Sequence, residues 1–557
     1  MTASAPFFSR LIRPLSGCLA ILALVASAIG ADAQVAGGAP TSKGYSIGGT
    51  VVNAVTGEPV RRALVAVLAE EDSHTVGSVE SDSEGRFSLG GLPAAKFQLT
   101  ASKRGYLTAF YDEHGEYSTA IVTGEGLATG GLVFQLTPAS VLHGVVTGDG
   151  GDPVEGARVM LFERPRDHGR VRGLGDRITQ VNTATTDDTG AYDFNELAAG
   201  EYRLAVAAEP WYAVHLSSAK RSSGDAARAL DVAYPVTFFD STTDESSAIR
   251  IVLAGGRREE ANINLHAVPA LHLVVDTPSR PDGSIARAEL RQTIFGAQVS
   301  AESAGFLDAM RTGTVEFTGV APGRYELAQG DPPRVVELEL GASQHVDPSL
   351  GTLTVPVSGS LRAGPGAAPP EDGTVSLIAN DGTRGQAPLQ AALIHGAFSF
   401  STVPAGLWEL WADAGGRALP VRSITVDGGT RAGNLVTVRD RPVQVVGAVG
   451  TGGTRVEGFA RKGSKGMAGA MVVLAPRDPA LHRALVRRDQ SDSDGSFSLR
   501  DVAPGHYTVV AIEDGWELDW AQPEALARYL PRGIGVTVSE GAGKAVRLGG
   551  EVQVQGR

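Results

Sequence analysis

At 557 residues the chain is too long for one ordinary domain, and three to five modules of about 100 residues are expected. Its 71 glycines and 30 prolines suit short strands and tight turns and argue against helical bundles, while a hydrophobic content of 42% excludes wholesale disorder. The formal charge of −13 is spread along the chain without a Lys/Arg block, which excludes an electrostatic footprint for nucleic acid.

In chain order, residues 1–33 read as a secretory signal peptide. Arg10 and Arg13 supply the positive start, Leu15 to Ile29 the apolar run, and Ala31-Asp32-Ala33 a small-x-small cleavage site before Gln34. The run is shorter than the roughly 20 apolar residues of a membrane span. Leu15-Ser16-Gly17-Cys18 has the look of a lipidation motif, but the apolar run follows the cysteine instead of preceding it, so anchoring at Cys18 is not expected. Cys18 is the one cysteine. After cleavage no disulfide can form, and each module must stand on its own core. Residues 34–45 read as a flexible linker, and later apolar stretches are strand-length, so no transmembrane segment is expected after cleavage.

Five segments then share one frame: Gly85–Leu99, Gly190–Leu204, Gly313–Leu327, Gly396–Leu410 and Gly495–Val509. Aligned on Leu92, Leu197, Val320, Val403 and Val502, each has Gly seven residues before this anchor, an aromatic five after it and Leu or Val seven after it. Phe87 and Leu89, or Tyr192 and Phe194, alternate with polar neighbours, as do Phe97, Leu99 and Ala101 further on. Period-two alternation sends such side chains to one buried face. The spacing predicts a β-hairpin, with Pro322-Gly323 and Pro504-Gly505 at a type II turn whose glycine has φ > 0. Ala95 replaces that glycine in the first copy, which predicts a different or strained turn there. The leading glycine, often three residues after an aspartate (Asp82, Asp187, Asp492), suits a preceding turn.

Strand signals recur upstream of the frames, as in Ile47–Val52 and Ala63–Val67. The fold class expected is all-β: a tandem array of about five Ig/transthyretin-like β-sandwich modules at 46–138, 139–268, 269–354, 355–446 and 447–557, the third and fourth degenerate. Two short helical insertions are predicted, at Ser222–Val232 and at Pro523–Leu530, where Pro523 suits a first helical turn.

Gly49-Thr50-Val51 with Gly57-Glu58-Pro59-Val60, Asp82-x-x-Gly85-x-Phe87 with Leu92-Pro93, and above all Asp492-x-x-Gly495-x-Phe497 with Val502-Ala503-Pro504-Gly505-x-Tyr507 resemble the carboxypeptidase regulatory-like domain. The resemblance implies a transthyretin-like, carbohydrate-binding-like sandwich common in exported bacterial proteins. It implies little about function, because such modules accompany peptidases, receptors and stand-alone surface proteins.

No catalytic motif accompanies the fold signal. None of the eleven histidines begins His-x-x-Glu or His-Glu-x-x-His, and Asp112-Glu113-His114-Gly115-Glu116 reads as a solvated loop. Walker patterns are absent, and Gly44-Tyr45-Ser46-Ile47-Gly48, a Gly-x-Ser-x-Gly by letters, runs straight into the Ile47–Val52 strand signal where a nucleophile elbow needs a helix to follow. Asp492, Asp494 and Asp501 approach the spacing of a calcium loop, but Gln490 stands at its first position and a strand follows, so no metal or other cofactor is expected. Candidate ligand-binding residues are aromatic: Trp211 and Tyr212 after the second frame, and Trp516, Asp519 and Trp520 after the fifth. Indole faces beside carboxylates stack on sugar rings, although large aromatics more often close a core. Trp408 belongs to the frame and Trp411 lies off its register. The expectation is a non-catalytic protein, periplasmic, cell-surface or secreted, that binds a carbohydrate or a cell-surface protein or acts as a scaffold. The alternatives are an accessory subunit of a separate enzyme or transporter, and an unrecognised hydrolase.

Overall fold

The computed structural model describes residues 44–557 except 71, 164–177, 216–228, 278–286, 296, 304–312, 331–332, 364–369, 371, 380–387, 415–416, 420, 450–453, 478, 480–484, 519, 521–522 and 540–544, with the backbone alone described at 179, 297–303, 417–418, 431–432 and 523. The signal peptide, Cys18, most of the linker and Asp519 therefore lie outside the described residues.

The described chain folds into five β-sandwich modules. Each opens with a strand (Tyr45–Asn53, Ser140–Thr147, Leu271–Asp276, Thr352–Arg362 or Thr454–Lys462) that lies between the first strand of the module's frame, antiparallel, and a late strand of the same module, parallel. The second sheet of each sandwich is built around the second frame strand: Lys96–Ser102, Gly200–Ala207, Gly323–Gly330, Gly406–Ala414 or Gly505–Ile512. Thr352–Arg362 and Val443–Val449 pair with each other, so the fourth module crosses the 354/355 and 446/447 divisions expected from the sequence.

The frames are not hairpins. Their two strands belong to opposite sheets: Arg86–Leu92 pairs with Tyr45–Asn53, while Lys96–Ser102 pairs with Leu64–Ala69. The same holds in modules 2, 3 and 4; in module 5 the two strands also pair with different partners, although Val552–Gln555 bridges the two sides, so each frame is an arch and not a hairpin. Alternation marks the buried face, but a side chain facing the core says nothing about which strand its backbone pairs with. Arching puts Phe87 and Leu92 on one wall of a single core and Phe97, Leu99 and Ala101 on the other. The linking turn is not type II either. Gly323 and Gly505 have φ of 158° and 159°, nearly extended, where a type II turn needs about 80°.

Each frame also carries a bulge just before its anchor. Leu89 and Leu92, three residues apart, face Ile47 and Tyr45, two apart, and the same register shift recurs in all five modules. The residue before the anchor is left-handed in four of them: Gly91, Glu196, Gly319 and Asp501. The leading glycine is left-handed in all five, with φ between 71° and 85°. Above these turns sits a buried hydroxyl. Ser81 Oγ donates to Val60 O at 2.6 Å and accepts from Ala63 N at 2.9 Å; Thr186 and Ser491 do the same for Val154 and Ala157, and for Met467 and Ala470.

One hydrophobic core fills each module. Two further clusters lie on outer sheet faces and join modules. Phe295 of module 3 wedges against Phe162 and Phe238 of module 2, with ring centroids 5.1 and 5.2 Å away. Trp411 of module 4, the aromatic off the frame's register, packs on the outer face of module 5 with Met471, Val473 and Trp520. Modules 3 and 4 share a ladder, Arg334 and Val335 pairing with Leu353 and Thr352. The second helical insertion is present as helix Pro523–Ala527 followed by a 3-10 turn Leu530–Arg532. The first falls mostly outside the described residues, and Val232, its expected last residue, lies instead in a strand, Val232–Ala233.

Candidate functional site

The aromatic candidates separate into one covered group and one exposed group. Trp516 sits in a 3-10 turn, Gly515–Glu517, at the end of the strand Gly505–Ile512, and its Nε1 donates to Gly469 O at 3.0 Å. Its face is occupied by module 1. His114 stacks on it with ring centroids 5.0 Å apart and planes 11° apart, and Tyr117 lies at 5.5 Å. Trp520 is buried at 9% exposure among Leu526, Tyr529 and Met471, with the Arg488 guanidinium 4.3 Å above its ring. Neither indole is a free face for a sugar, and Asp519 lies outside the described residues. Asp112–Glu116 is a loop exposed at Asp112, Glu113, Gly115 and Glu116, as expected, but His114 at its centre is half-buried and belongs to the module 1 side of the joint.

Polar groups complete that joint. Gln490, 1% exposed, donates through Nε2 to Asp112 O at 2.6 Å and Thr119 Oγ1 at 2.7 Å, while its Oε1 lies 3.1 Å from His114 Nδ1. Lys96 Nζ is 2.5 Å from Asp492 Oδ2. Burial works against the Lys96 ammonium, but the Asp492 carboxylate more than offsets this and holds its pKa above the usual value. Loss of water contact pushes the Asp489 carboxyl up to about 7, with repulsion from Asp492 and Glu70 adding to the effect. The three acids of the apparent calcium loop are occupied otherwise: Asp492 faces Lys96, Asp494 accepts from Ser496 N at 2.8 Å, and Asp501 holds the left-handed bulge position.

The exposed group is in module 2. Trp211 is 94% exposed, with half-buried Tyr212 edge-on at 5.7 Å. Their loop is fastened at its end by an imidazole–carboxylate chain that spans modules 2 and 3. His215 lies 3.2 Å from Glu209 and 3.1 Å from Asp231 Oδ1; His272, 3% exposed, lies 2.8 Å from Asp231 Oδ2 and 2.9 Å from Glu316. Burial opposes the Asp231 carboxylate, yet hydrogen bonds from His272 and His215 more than offset it and hold its pKa below the usual range. Each imidazole has both ring nitrogens within 3.2 Å of carboxylate oxygens. The arrangement joins modules. Its members are far apart in the chain and carry no motif spacing, which is why the sequence does not announce them.

Residues 46–123 and 141–234 match the family model of the carboxypeptidase regulatory-like domain. The first two modules are carboxypeptidase regulatory-like domains. The first of these regulatory-like domains supplies Lys96, His114 and Thr119 to the joint with module 5; the second carries the Trp211 loop and Asp231. The fifth module, whose motif resembles the family most by eye, lies outside the matched stretches. No curated protein sequence matches the chain. Among solved structures it is similar to the Bacillus anthracis TIE protein (11% identity, TM-score 0.17, covering 74% of this chain and 76% of that one). It is also similar to a streptococcal ancillary pilin (14%, 0.20, 54% and 98%) and to two B repeat units of the collagen-binding protein of Staphylococcus aureus (10%, 0.13, 73% and 100%). Likeness at these scores says nothing about ligand or partner.

Proposed function

We propose that the chain is an exported, non-catalytic scaffold of β-sandwich modules that presents the Trp211–Tyr212 loop to a carbohydrate. Export rests on the leader-like segment from Arg10 to Ala33. The observation that carries the binding role is the 94% exposure of Trp211. A solvated indole is a large apolar face left uncovered, and tryptophan is the side chain that most often anchors binding surfaces. Glu209 and Tyr212 beside it offer an acceptor and a second ring, the combination that stacks on a pyranose and takes its hydroxyl hydrogen bonds. The non-catalytic reading is supported by His215, His272 and Asp231 being committed to one another across a module joint.

The test is a glycan array probed with the full chain and with Trp211→Ala. The account expects discrete glycan binding that Trp211→Ala abolishes while leaving thermal stability unchanged, since an exposed ring adds little to folding. Glycan binding that survives Trp211→Ala, or capture of a surface protein with no glycan bound, would refute it.

A further inference from the structure

Three internal copies of one turn differ in what their aspartate does. Asp82 and Asp187, each three residues before the turn glycine, close their own turns. Asp82 Oδ1 accepts from Glu84 N and Arg86 N at 3.0 and 2.8 Å; Asp187 Oδ1 accepts from Thr189 N and Ala191 N, both at 2.9 Å. Asp492 stands at the same place in module 5, but there Asp494 takes over the local bond to Ser496 N. The Asp492 carboxylate keeps one bond within its turn, from Ser496 Oγ at 3.1 Å, and otherwise faces module 1, where Oδ2 meets Lys96 Nζ and Oδ1 accepts from Ala120 N at 3.2 Å. Ser493 continues the contact: its N–H donates to Ala120 O at 2.9 Å and its Oγ accepts from Val122 N at 2.8 Å.

The groups at the centre of this contact are dry, while Lys96, Val122 and Ser493 are half-buried. Asp492 is 7% exposed, Thr119 2% and Ala120 3%. Dry polar groups must be matched donor to acceptor, and here each meets a partner across the joint. Arg500 and Glu70 add an ion pair of 2.8 Å at its margin. Modules 2, 3 and 4 are each joined to their neighbours by packing or ladder contacts, which keeps the two terminal modules near each other and favours contact within one chain over contact between copies.

We propose that modules 1 and 5 form an intramolecular latch that closes the five modules into a ring, with Asp492 shared between its own turn and module 1 to hold it. The surface around Ala120–Val122 is a docking face, and its partner is the chain's own fifth module.

Engineered cysteines test this in the full chain with Cys18→Ser, which carries no other thiol. Ala120→Cys with Ser493→Cys places one pair across the latch. With oxidised glutathione, a disulfide forms within the monomer, seen as a faster-migrating non-reduced band. Adding Asp492→Ala slows its formation by about tenfold, the loss expected for one partly buried ion pair with its hydrogen bonds, whereas Asp187→Ala leaves the rate unchanged. Disulfide-linked dimers as the main product, no cross-link in the folded double variant, or an unaltered rate in Asp492→Ala would each overturn the proposal. Should the double variant not fold, amide exchange in the otherwise unaltered chain decides: protection at Ala120, Val122 and Ser493 that Asp492→Ala removes supports the latch, and rapid exchange at all three in the parent chain overturns it.

Discussion

The aromatic five residues after each anchor does two jobs. Its ring fills the core, and in four modules its polar tip donates to the carbonyl four residues earlier: Tyr202 to Ala198, Tyr325 to Ala321, Tyr507 to Ala503 and Trp408 to Pro404, at 2.8 to 3.1 Å. Phe97 has no such tip. In module 1 the hydroxyl of Thr123 donates instead to Pro93 O at 2.6 Å and accepts from Ala95 N at 3.0 Å. The first turn is therefore held differently, and Ala95 is not left-handed. The value of the tyrosine bond depends on what water can replace. Ala503 is buried and Ala198 is exposed, so Tyr507→Phe strands a dry carbonyl and costs about 1–2 kcal/mol. Tyr202→Phe, whose carbonyl water can reach, costs less, under about 1 kcal/mol. Urea denaturation of the two variants measures the difference, and equal losses would show that the carbonyl's burial does not matter. The ring's burial is legible from its place in the alternation. The hydrogen bond of its tip is not, because that depends on how the chain turns between sheets.

At the scale of the element, the arch is the unit that repeats. Each arch has a left-handed leading glycine where the strand enters, and in modules 1, 2 and 5 the backbone there is also pressed on its neighbour. A Cβ on Gly190 would lie 2.4 Å from Val146 O at φ +74°, whereas one on Gly57, at the same φ, would meet nothing within 4 Å. Both substitutions to alanine strain φ, by about 1 kcal/mol for Gly57→Ala, but Gly190→Ala must also displace a strand and costs about 3 kcal/mol or more. Comparable midpoints for the two in thermal melts would contradict the arch geometry. Much of this element was readable. The five glycines, the alternating aromatics and the three-residue step from Phe194 to Leu197, which breaks strict alternation where the bulge lies, are all in the letters. What the letters lack is the partner of each strand. A short connector can fold back within a sheet or cross to the opposite one, and both place Phe194 and Tyr202 in the same core.

At the scale of the molecule, the joints decide the shape, and they were the least legible part. Trp516 and His114 are about 400 residues apart, and nothing local to either marks the other as its neighbour. Asp492 carries the same turn motif as Asp82 and Asp187, so only the assembled structure distinguishes its partner. Trp211 could be read as a candidate because it follows its frame as Trp516 does, but its exposure, against the burial of Trp520, depends on which end of each sandwich is covered by another module. The joints close the five sandwiches on one another instead of extending them as a rod. Small-angle X-ray scattering of the monomeric chain tests this closure most directly. A compact chain of this length has a radius of gyration of about 24 Å, and the closed arrangement predicts a value within about a third of that figure; a value more than twice as large, with the distance distribution of a rod, would contradict it.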